Sequence, residues 1–376
     1  MLLIGFMGLL WVLYAFTLAV LISESYFTLG MLNTRKKILL RKTWKNYTPE
    51  VSVIMPCRGA DHKFEDGIKS LLSQDYVGKK EFIFVVDGFG DECVRILKKF
   101  KGIKVIKNKH LRGYTGKNSA LLTGVMKAKD EIFVFADSDI IPARDWLRSL
   151  VEPLQSPEVS VTTGYRWYFP LKKSIVSCIR PAWDGIGFSL MTGKYRFVWG
   201  GSFALRRNDF ERFDVKKIWK NEISDDAPLT RFLDKNNLHI EFVPRATVAN
   251  FNSDSFRELV SWSNRQVLMV KMYAKKSWKL GMLVTGSFSF FTVLGILLLV
   301  FGNAIGIIFL LPVVLSTLRA WLRYSTLQRL LPEFAHFEKK KTTILMEAAG
   351  KFLMFYNTLR AMTIREVEWR GKKYRV

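Results

Sequence analysis

Cysteine is scarce in these 376 residues: only Cys57, Cys93 and Cys178 occur, and no two of them form a C-x-x-C pair. That excludes a disulfide framework and a thiolate zinc site, and it suits reduced, structural thiols in a reducing compartment. Histidine is equally sparse. His62, His110, His239 and His336 are scattered, which argues against a histidine-based metal centre. Acidic side chains are outnumbered, 33 against 58 Lys and Arg, for a formal net charge of +25. Such basicity raises nucleic acid as a partner, but no nucleic-acid module is readable and an apolar share of 49% is high for one. A basic chain with long apolar runs instead suits anionic lipid headgroups. Internal repeats and low-complexity segments are also missing.

The apolar runs lie at the two ends. Residues 2–22 are nearly all apolar and long enough to span a bilayer. The start carries no positive charge and no small-x-small cleavage site follows, so residues 1–24 read as a transmembrane helix rather than a signal peptide. A basic juxtamembrane linker, 25–48, brings Arg35, Lys36, Lys37, Arg41, Lys42 and Lys45. These place the next segment, 49–275, on the cytoplasmic side. Residues 276–376 form a C-terminal membrane region. Residues 281–301 read as a span, Asn303 and Gly306 as a tight turn, and 304–318 as a short returning span that ends at Arg319, Arg323 and Arg329. An interfacial helix over 322–337 is expected next. The apolar stretch 344–362 carries Glu347, Lys351 and Arg360 and precedes a basic tail. It reads as an interfacial or re-entrant helix, with a fourth span as the alternative. The tail alternates like a small hairpin with Arg370-Gly371 at its turn.

Between these ends, strand and helix signals alternate. Buried strands are expected over 51–55, 82–86, 103–106 and 132–136, with helices over 66–72, 91–100 and 117–128. The fold class this predicts is α/β with a doubly wound, mainly parallel sheet. Residues 165–197 interleave aromatics, including Trp167 and Trp183, with Arg166, Lys172, Lys173, Arg180 and Lys194. Such a segment suits either the lipid interface or an ordinary core helix with a solvated face.

Three acidic positions stand at the ends of elements. The run 132–136 stops at Asp137-Ser138-Asp139, the run 82–86 stops at Asp87, and Asp225-Asp226 precede a helix with Pro228 in its first turn. Acids at the carboxyl ends of parallel strands lie where open α/β sheets bind ligands, and a D-x-D pair can hold a divalent metal against phosphates. Each also has a plain reading, as a polar turn or a helix N-cap.

The ordered motifs VSVIMPCRG, FIFVVDG, GKNSALLTGVMKAKDEIFVFADSD, WGGSFALRR and SDDAPLTRFL, with FRELVSWSNRQ as a weaker element, resemble glycosyltransferase family two and its close relatives, in particular the ceramide glucosyltransferase type. The resemblance covers residues 51–266. It implies the nucleotide-diphospho-sugar transferase (GT-A) fold, a nucleotide-sugar donor, a divalent metal (Mg or Mn) and a membrane-lipid acceptor. Pro56, Arg58 and Gly59 would form a nucleotide loop, Asp87 would contact the base, and Lys117 would lie near the phosphates. Asp137 and Asp139 would be the metal motif, with Asp139 the direct ligand. Gly200, Gly201 and Ser202 would approach the sugar. Asp226 would be the catalytic base with Asp225 beside it, and Arg265 would neutralise the leaving diphosphate. Trp167, Trp183, Trp199 and Trp262 would line the acceptor region. The family's Arg-Trp element is reduced to Arg265 here, which favours transfer of one sugar over chain elongation. The implied product is a glycolipid, made with inversion by a multi-pass protein. A polyprenyl-phosphate sugar transferase and a non-catalytic membrane scaffold are the other readings.

Overall fold

The computed structural model describes residues 2–39, 47–172, 174–337, 340–369 and 372–375. The linker residues Arg41, Lys42 and Lys45 and the tail turn Arg370-Gly371 lie outside them. Ten strands build the central part: β1 Val51–Cys57, β2 Lys80–Val86, β3 Lys104–Lys107, β4 Ile132–Ala136, β5 Ile141–Pro142, β6 Val159–Thr163, β7 Arg166–Pro170, β8 Ser202–Arg206, β9 His239–Phe242 and β10 Val248–Asn252. The first helices are α1 Leu2–Leu39, α2 Phe64–Leu72, α3 Glu92–Leu97, α4 Gly116–Val125, α5 Trp146–Val151 and α6 Ile175–Met191. They are followed by α7 Arg207–Arg212, α8 Val215–Ile218, α9 Asp226–Lys235 and α10 Phe256–Tyr273. The last are α11 Lys275–Val300, α12 Gly306–Leu330, α13 Lys340–Leu345 and α14 Glu347–Thr363. The tail strands Glu366–Trp369 and Lys372–Arg375 pair antiparallel, as the alternation predicts.

The main sheet has seven strands in the order β3-β2-β1-β4-β8-β6-β9. Every residue of β4 is buried, because helices cover both of its faces. One apolar layer packs Leu121, Phe210, Trp219, Leu229 and Leu233 against the sheet; the other packs Phe64, Ile68, Leu71, Trp146 and Leu147. The expected parallel arrangement holds through β3-β2-β1-β4 and again between β6 and β9. Between them β8 is antiparallel to both β4 and β6, so the sheet is mixed. The reason is local. After α6 the chain re-enters at the Asp137 end of β4, with Ser202 opposite Ala136, and can only run back along it. A second sheet, β5-β10-β7, stands beside this edge. Pro56 does not stop β1; it pairs with Val85, and the strand runs on to Cys57.

One further expectation changes and one open reading is decided. Residues 25–39 are not a linker but the continuation of α1, whose Met31 and Ile38 are buried in the core of the sheet domain. The aromatic segment is mostly core rather than a lipid-facing collar. Tyr165, Trp167, Tyr168, Phe169, Trp183 and Phe188 are all buried, while Tyr195 is exposed.

Two helices among the described residues are long and apolar enough to cross a membrane, α11 and α12. They form a hairpin: Gly302 takes φ +77° and Asn303 Oδ1 accepts from the Ile305 amide at 3.0 Å. Gly295 and Gly306 let the helices touch, since a Cβ on Gly306 would lie 2.5 Å from the Gly295 carbonyl. The expected interfacial helix over 322–337 is instead the end of α12 and a 3-10 turn, Pro332–Phe337.

Candidate active site

The carboxyl end of β4 is where the site assembles. Lys117, in the first turn of α4, projects its ammonium between two carboxylates, 2.8 Å from Asp137 Oδ1 and 2.9 Å from Asp225 Oδ1. Asn118 explains why these elements meet. Its Nδ2 donates to the carbonyls of Trp219 (3.2 Å), Glu222 (3.1 Å) and Ser224 (3.3 Å), fastening the start of α4 to the loop that carries Asp225. The neighbouring Ser119 donates to Asn108 Oδ1 at 2.8 Å, and Asn108 Nδ2 donates to Asp87 Oδ1 at 3.1 Å. The GKNS run is therefore a hub, in which the lysine neutralises and the next two residues position. Asn118 and Asn108 hold the candidate site residues in place and were missed by the sequence reading; for Asn118 the polar cluster opening an otherwise apolar helix was the available signal.

Asp225 and Asp226 differ sharply. Asp225 is fully buried, its Oδ2 has no hydrogen-bond partner, and burial pushes its carboxyl up to about 6 against the pull of Lys117. Asp226 opens α9 and reaches the surface of the site. Its Oδ2 accepts from the Gly200 amide at 2.9 Å and its Oδ1 from the Ala227 amide at 2.7 Å, with Ser224 Oγ also donating. The glycine pair leaves room for this. A Cβ on Gly200 would sit 2.5 Å from Asp225 Oδ2 and 2.9 Å from Lys117 Nζ, and one on Gly201 would sit 2.9 Å from Asp137 Oδ2.

Asp139 is held from the second sheet, where Asn250 of β10 donates to its Oδ2 at 3.0 Å. Burial, with like charge on Asp137 and Asp61, pushes its carboxyl up to about 6. The Oδ1 of Asn250 is buried without a partner. Two carboxylates and an orphaned amide oxygen are a donor set that fits a hard divalent cation. Among the described residues no three His, Cys, Asp or Glu side chains are placed to hold a metal ion together, so the remaining ligands would come from substrate phosphates, as is usual for Mg2+.

Asp87 follows β2, two strands from β4 and so about 10 Å away at ordinary strand spacing. Arg58 Nε is 3.6 Å from its Oδ2. Gly59, at φ +70°, turns its amide onto Asp91 Oδ1 at 2.9 Å. Burial pushes the Asp91 carboxyl up, but hydrogen bonds from Cys93 and Gly59 more than offset it and hold it below the ordinary range. An open depression of about 570 Å³, lined by Arg58, Gly59, Asp61, Asp91 and Glu92, lies here.

The tryptophans divide. Arg166 on β7 pairs with Asp184 at 2.9 Å and lies over the Trp262 ring (5.2 Å) and the Trp199 ring (5.7 Å). Arg180 covers the other contact to Trp262 at 4.3 Å, and Trp183 meets Trp262 edge-on at 5.0 Å. Trp167 belongs elsewhere. Strand alternation turns it away from Arg166 and Tyr168, onto Tyr324 of α12 at 4.9 Å. Ser202 also leaves the expected set. It is buried, accepts from Trp146 Nε1 at 2.8 Å and donates to the Ala246 carbonyl at 3.1 Å, which is structural work. Arg265 lies on α10, three residues after Trp262 and partly exposed.

Comparison with known proteins decides the family: the model of glycosyl transferase family 21 matches residues 15–376. The chain belongs to glycosyl transferase family 21. The expected kinship thus holds at the level of glycosyltransferases, with the family number corrected from two. This family 21 chain is 30% identical over 125 residues to an N-acetylglucosaminyltransferase of Bradyrhizobium elkanii, covering 31% of the chain and 65% of that relative. It is 27% identical over 129 residues to the poly-beta-1,6-N-acetyl-D-glucosamine synthase of Staphylococcus epidermidis, covering 34% of the chain and 31% of the synthase. The chain thus spans less than two thirds of the length of these relatives. Among solved structures, the Pyrobaculum calidifontis mannosyltransferase in complex with GDP-Man and Mn2+ is similar at 18% identity and a TM-score of 0.46, over 93% of this chain and 97% of that one. Glucosyl-3-phosphoglycerate synthase from Mycobacterium tuberculosis is similar at 18% identity and a TM-score of 0.42, over 60% and 80%. At these values neither likeness assigns a residue.

Proposed function

We propose that this family 21 chain is a membrane-bound, inverting glycosyltransferase that moves one sugar from a nucleotide-diphosphate sugar to the hydroxyl of a membrane lipid. The observation that carries the chemistry is the meeting of Asp137, Asp139, Lys117, Asp225 and Asp226 at one strand end. The donor's base lies in the depression beside Arg58, Gly59 and Asp87, and its phosphates extend along the end of the sheet towards Asp139. Asp139, with Asp137, would hold a divalent metal, which would supply charge neutralisation to the leaving diphosphate. Lys117 and Arg265 add cationic donors to the same oxygens. Gly200 and Gly201, bare of side chains, let the sugar lie against backbone.

Asp226 takes the acceptor proton. Of the acidic pair it alone reaches the open side of the site; Asp225 is sealed beneath it and anchors Lys117. A carboxylate is a weak base against an alcohol, so Asp226 accepts the proton late, as the hydroxyl acidifies in the transition state. One base with no nucleophile implies inversion at the anomeric carbon. The lipid acceptor is supported by the outward faces of α11 and α12, where Leu283, Phe290, Val293, Ile307, Leu311 and Val314 are exposed together. A face of that kind is stable in lipid rather than in water. The Trp183, Trp199 and Trp262 cluster, with Arg166, leads from the site to the helices packed on α14. The reading places the sheet domain on the cytoplasmic side, from the positive residues flanking the spans.

The test is Asp226→Asn. It should abolish transfer while nucleotide-sugar binding stays within a few-fold. Loss of both together would show that Asp226 holds the donor instead, and transfer surviving intact would favour a phosphate acceptor, which needs no base. Lipid mass spectrometry of a host with and without the chain would identify sugar and acceptor together.

A further inference from the structure

Away from the catalytic face, five charged side chains are buried together where α1, α6, α12 and α14 meet. Arg319 lies 2.6 Å from Glu24 and 3.7 Å from Glu347. Arg323 donates to Glu347 Oε2 at 2.7 Å and to the Gly185 carbonyl at 3.2 Å. Lys351 pairs with Glu24, and its ammonium lies 4.1 Å from the centre of the Phe288 ring. None of these side chains is more than 5% exposed. Three cations thus face two carboxylates, and the cluster carries one positive charge in excess. An uncompensated charge shut away from water is costly and calls for a counter-ion.

A cavity of about 50 Å³ opens beside the excess charge. At roughly 10–15 Å³ per water on the same measure, it has room for a few waters or one phosphate group. Arg319 and Lys351 line it beside the one carboxylate that they share, Glu24, with the hydroxyls of Ser23, Ser189 and Thr285, and with Phe27, Val284 and Phe288 on the apolar side. Arg319 Nε is buried without a hydrogen-bond partner, and an ammonium has three donors, of which Glu24 takes one. Charge, vacant donors and apolar walls coincide in one place.

We propose that this cavity binds the phosphate group of an anionic membrane lipid, with Arg319 and Lys351 donating to its oxygens and the apolar wall lying against the glycerol carbon esterified to it. The site is separate from the sugar-transfer centre and does not depend on that activity. A phosphodiester with no cation of its own brings the single negative charge that balances the cluster, whereas a zwitterionic headgroup brings none in excess.

The experiment uses the full chain in dodecyl maltoside micelles, titrated separately with dihexanoyl-phosphatidylglycerol, dihexanoyl-phosphatidylcholine and inorganic phosphate. Thermal unfolding and native mass spectrometry of adducts are the readouts. Phosphatidylglycerol at a hundred-fold excess over its dissociation constant should raise the unfolding midpoint by several degrees, with one bound lipid per chain and little effect from phosphatidylcholine. Lys351→Met, which keeps the stem on Phe288 but removes the excess charge, should weaken that binding at least ten-fold. Val284→Phe fills the cavity while leaving every charge in place, and should do the same if the lysine variant folds poorly. Equal stabilisation by inorganic phosphate would keep the anion site and overturn the lipid as its source. Equal binding of both lipids, or binding unchanged in both variants, would overturn the proposal.

Discussion

Replacing Gly200 by Ala tests the site more sharply than removing any charge. Its backbone is not left-handed, so alanine adds no conformational strain, and the effect is steric alone. The new Cβ would stand 2.5 Å from Asp225 Oδ2, 3.0 Å from its Cγ and 2.9 Å from Lys117 Nζ. A carbon–oxygen contact needs more than 3 Å, so something must move by most of an ångström. If Asp225 moves, its 2.9 Å pairing with Lys117 breaks. If the loop moves, the Gly200 amide leaves Asp226, which it now meets at 2.9 Å. Either way a carboxylate leaves its place, and misplacement by about 1 Å costs on the order of 10²-fold in rate, or about 2.7 kcal/mol of barrier. Overpacking should cost about 1–3 kcal/mol of stability as well. The assay is sugar transfer at saturating donor, with thermal unfolding run beside it. Gly88→Ala is the control: it directly follows Asp87 and has nothing within 4 Å of the new methyl group, so its rate should stay within a few-fold. Gly200→Ala turning over at the wild-type rate would refute the packing argument.

Two other outcomes follow from the same centre. Lys117→Met should abolish transfer and make stability pH-dependent. The Asp225 carboxyl, already at about 6 from burial, goes higher without its ammonium, and a raised carboxyl pKa lowers stability as pH rises past the unfolded value. Wild type stops losing above about 6 and the variant does not, so their gap should widen from pH 6 to 8 by up to about 1.4 kcal/mol per unit; a constant gap would contradict it. Chelation should remove activity and Mg2+ or Mn2+ restore it, while Asp139→Asn should blunt the restoration; full turnover without metal would end the metal reading of Asp139.

Much of the sheet was legible because its strands are buried on both faces. The runs at 82–86 and 132–136 have no polar residue to confuse their period, and each stops at an acid that the structure places at the carboxyl end of β2 and β4. The antiparallel β8 was not legible as such, because its direction depends on where α6 delivers the chain. Residues 165–197 stayed open between two readings for a related reason. Aromatic and basic side chains at a lipid interface have the same composition as aromatics buried around paired arginines, and only the Arg166–Asp184 and Arg180–Asp254 pairings separate the two. Trp167 and Ser202 failed on side-chain direction, which a motif does not encode. The charges that made 344–362 hard to read were a true signal: Glu347 and Lys351 are buried in an ion cluster with Arg319, Arg323 and Glu24, whereas Arg360 stays at the surface. Glu24 and Lys351, 327 positions apart in the chain, could not be matched without the fold.

The length of α1 has a mechanical meaning. One helix of 38 residues runs from the chain's apolar start to Met31 and Ile38, which are bolted into the sheet domain. There is no swivel between the two along this path. On the proposed reading, in which the acceptor is a membrane lipid, a domain mounted on a stiff mast cannot stoop to collect it, so the height and tilt of the pocket over the bilayer would be set once, when the protein folds. Capture would then be left to sideways diffusion of the lipid within its leaflet, and inserting a glycine pair near residue 29 should loosen that aim without touching a single catalytic atom.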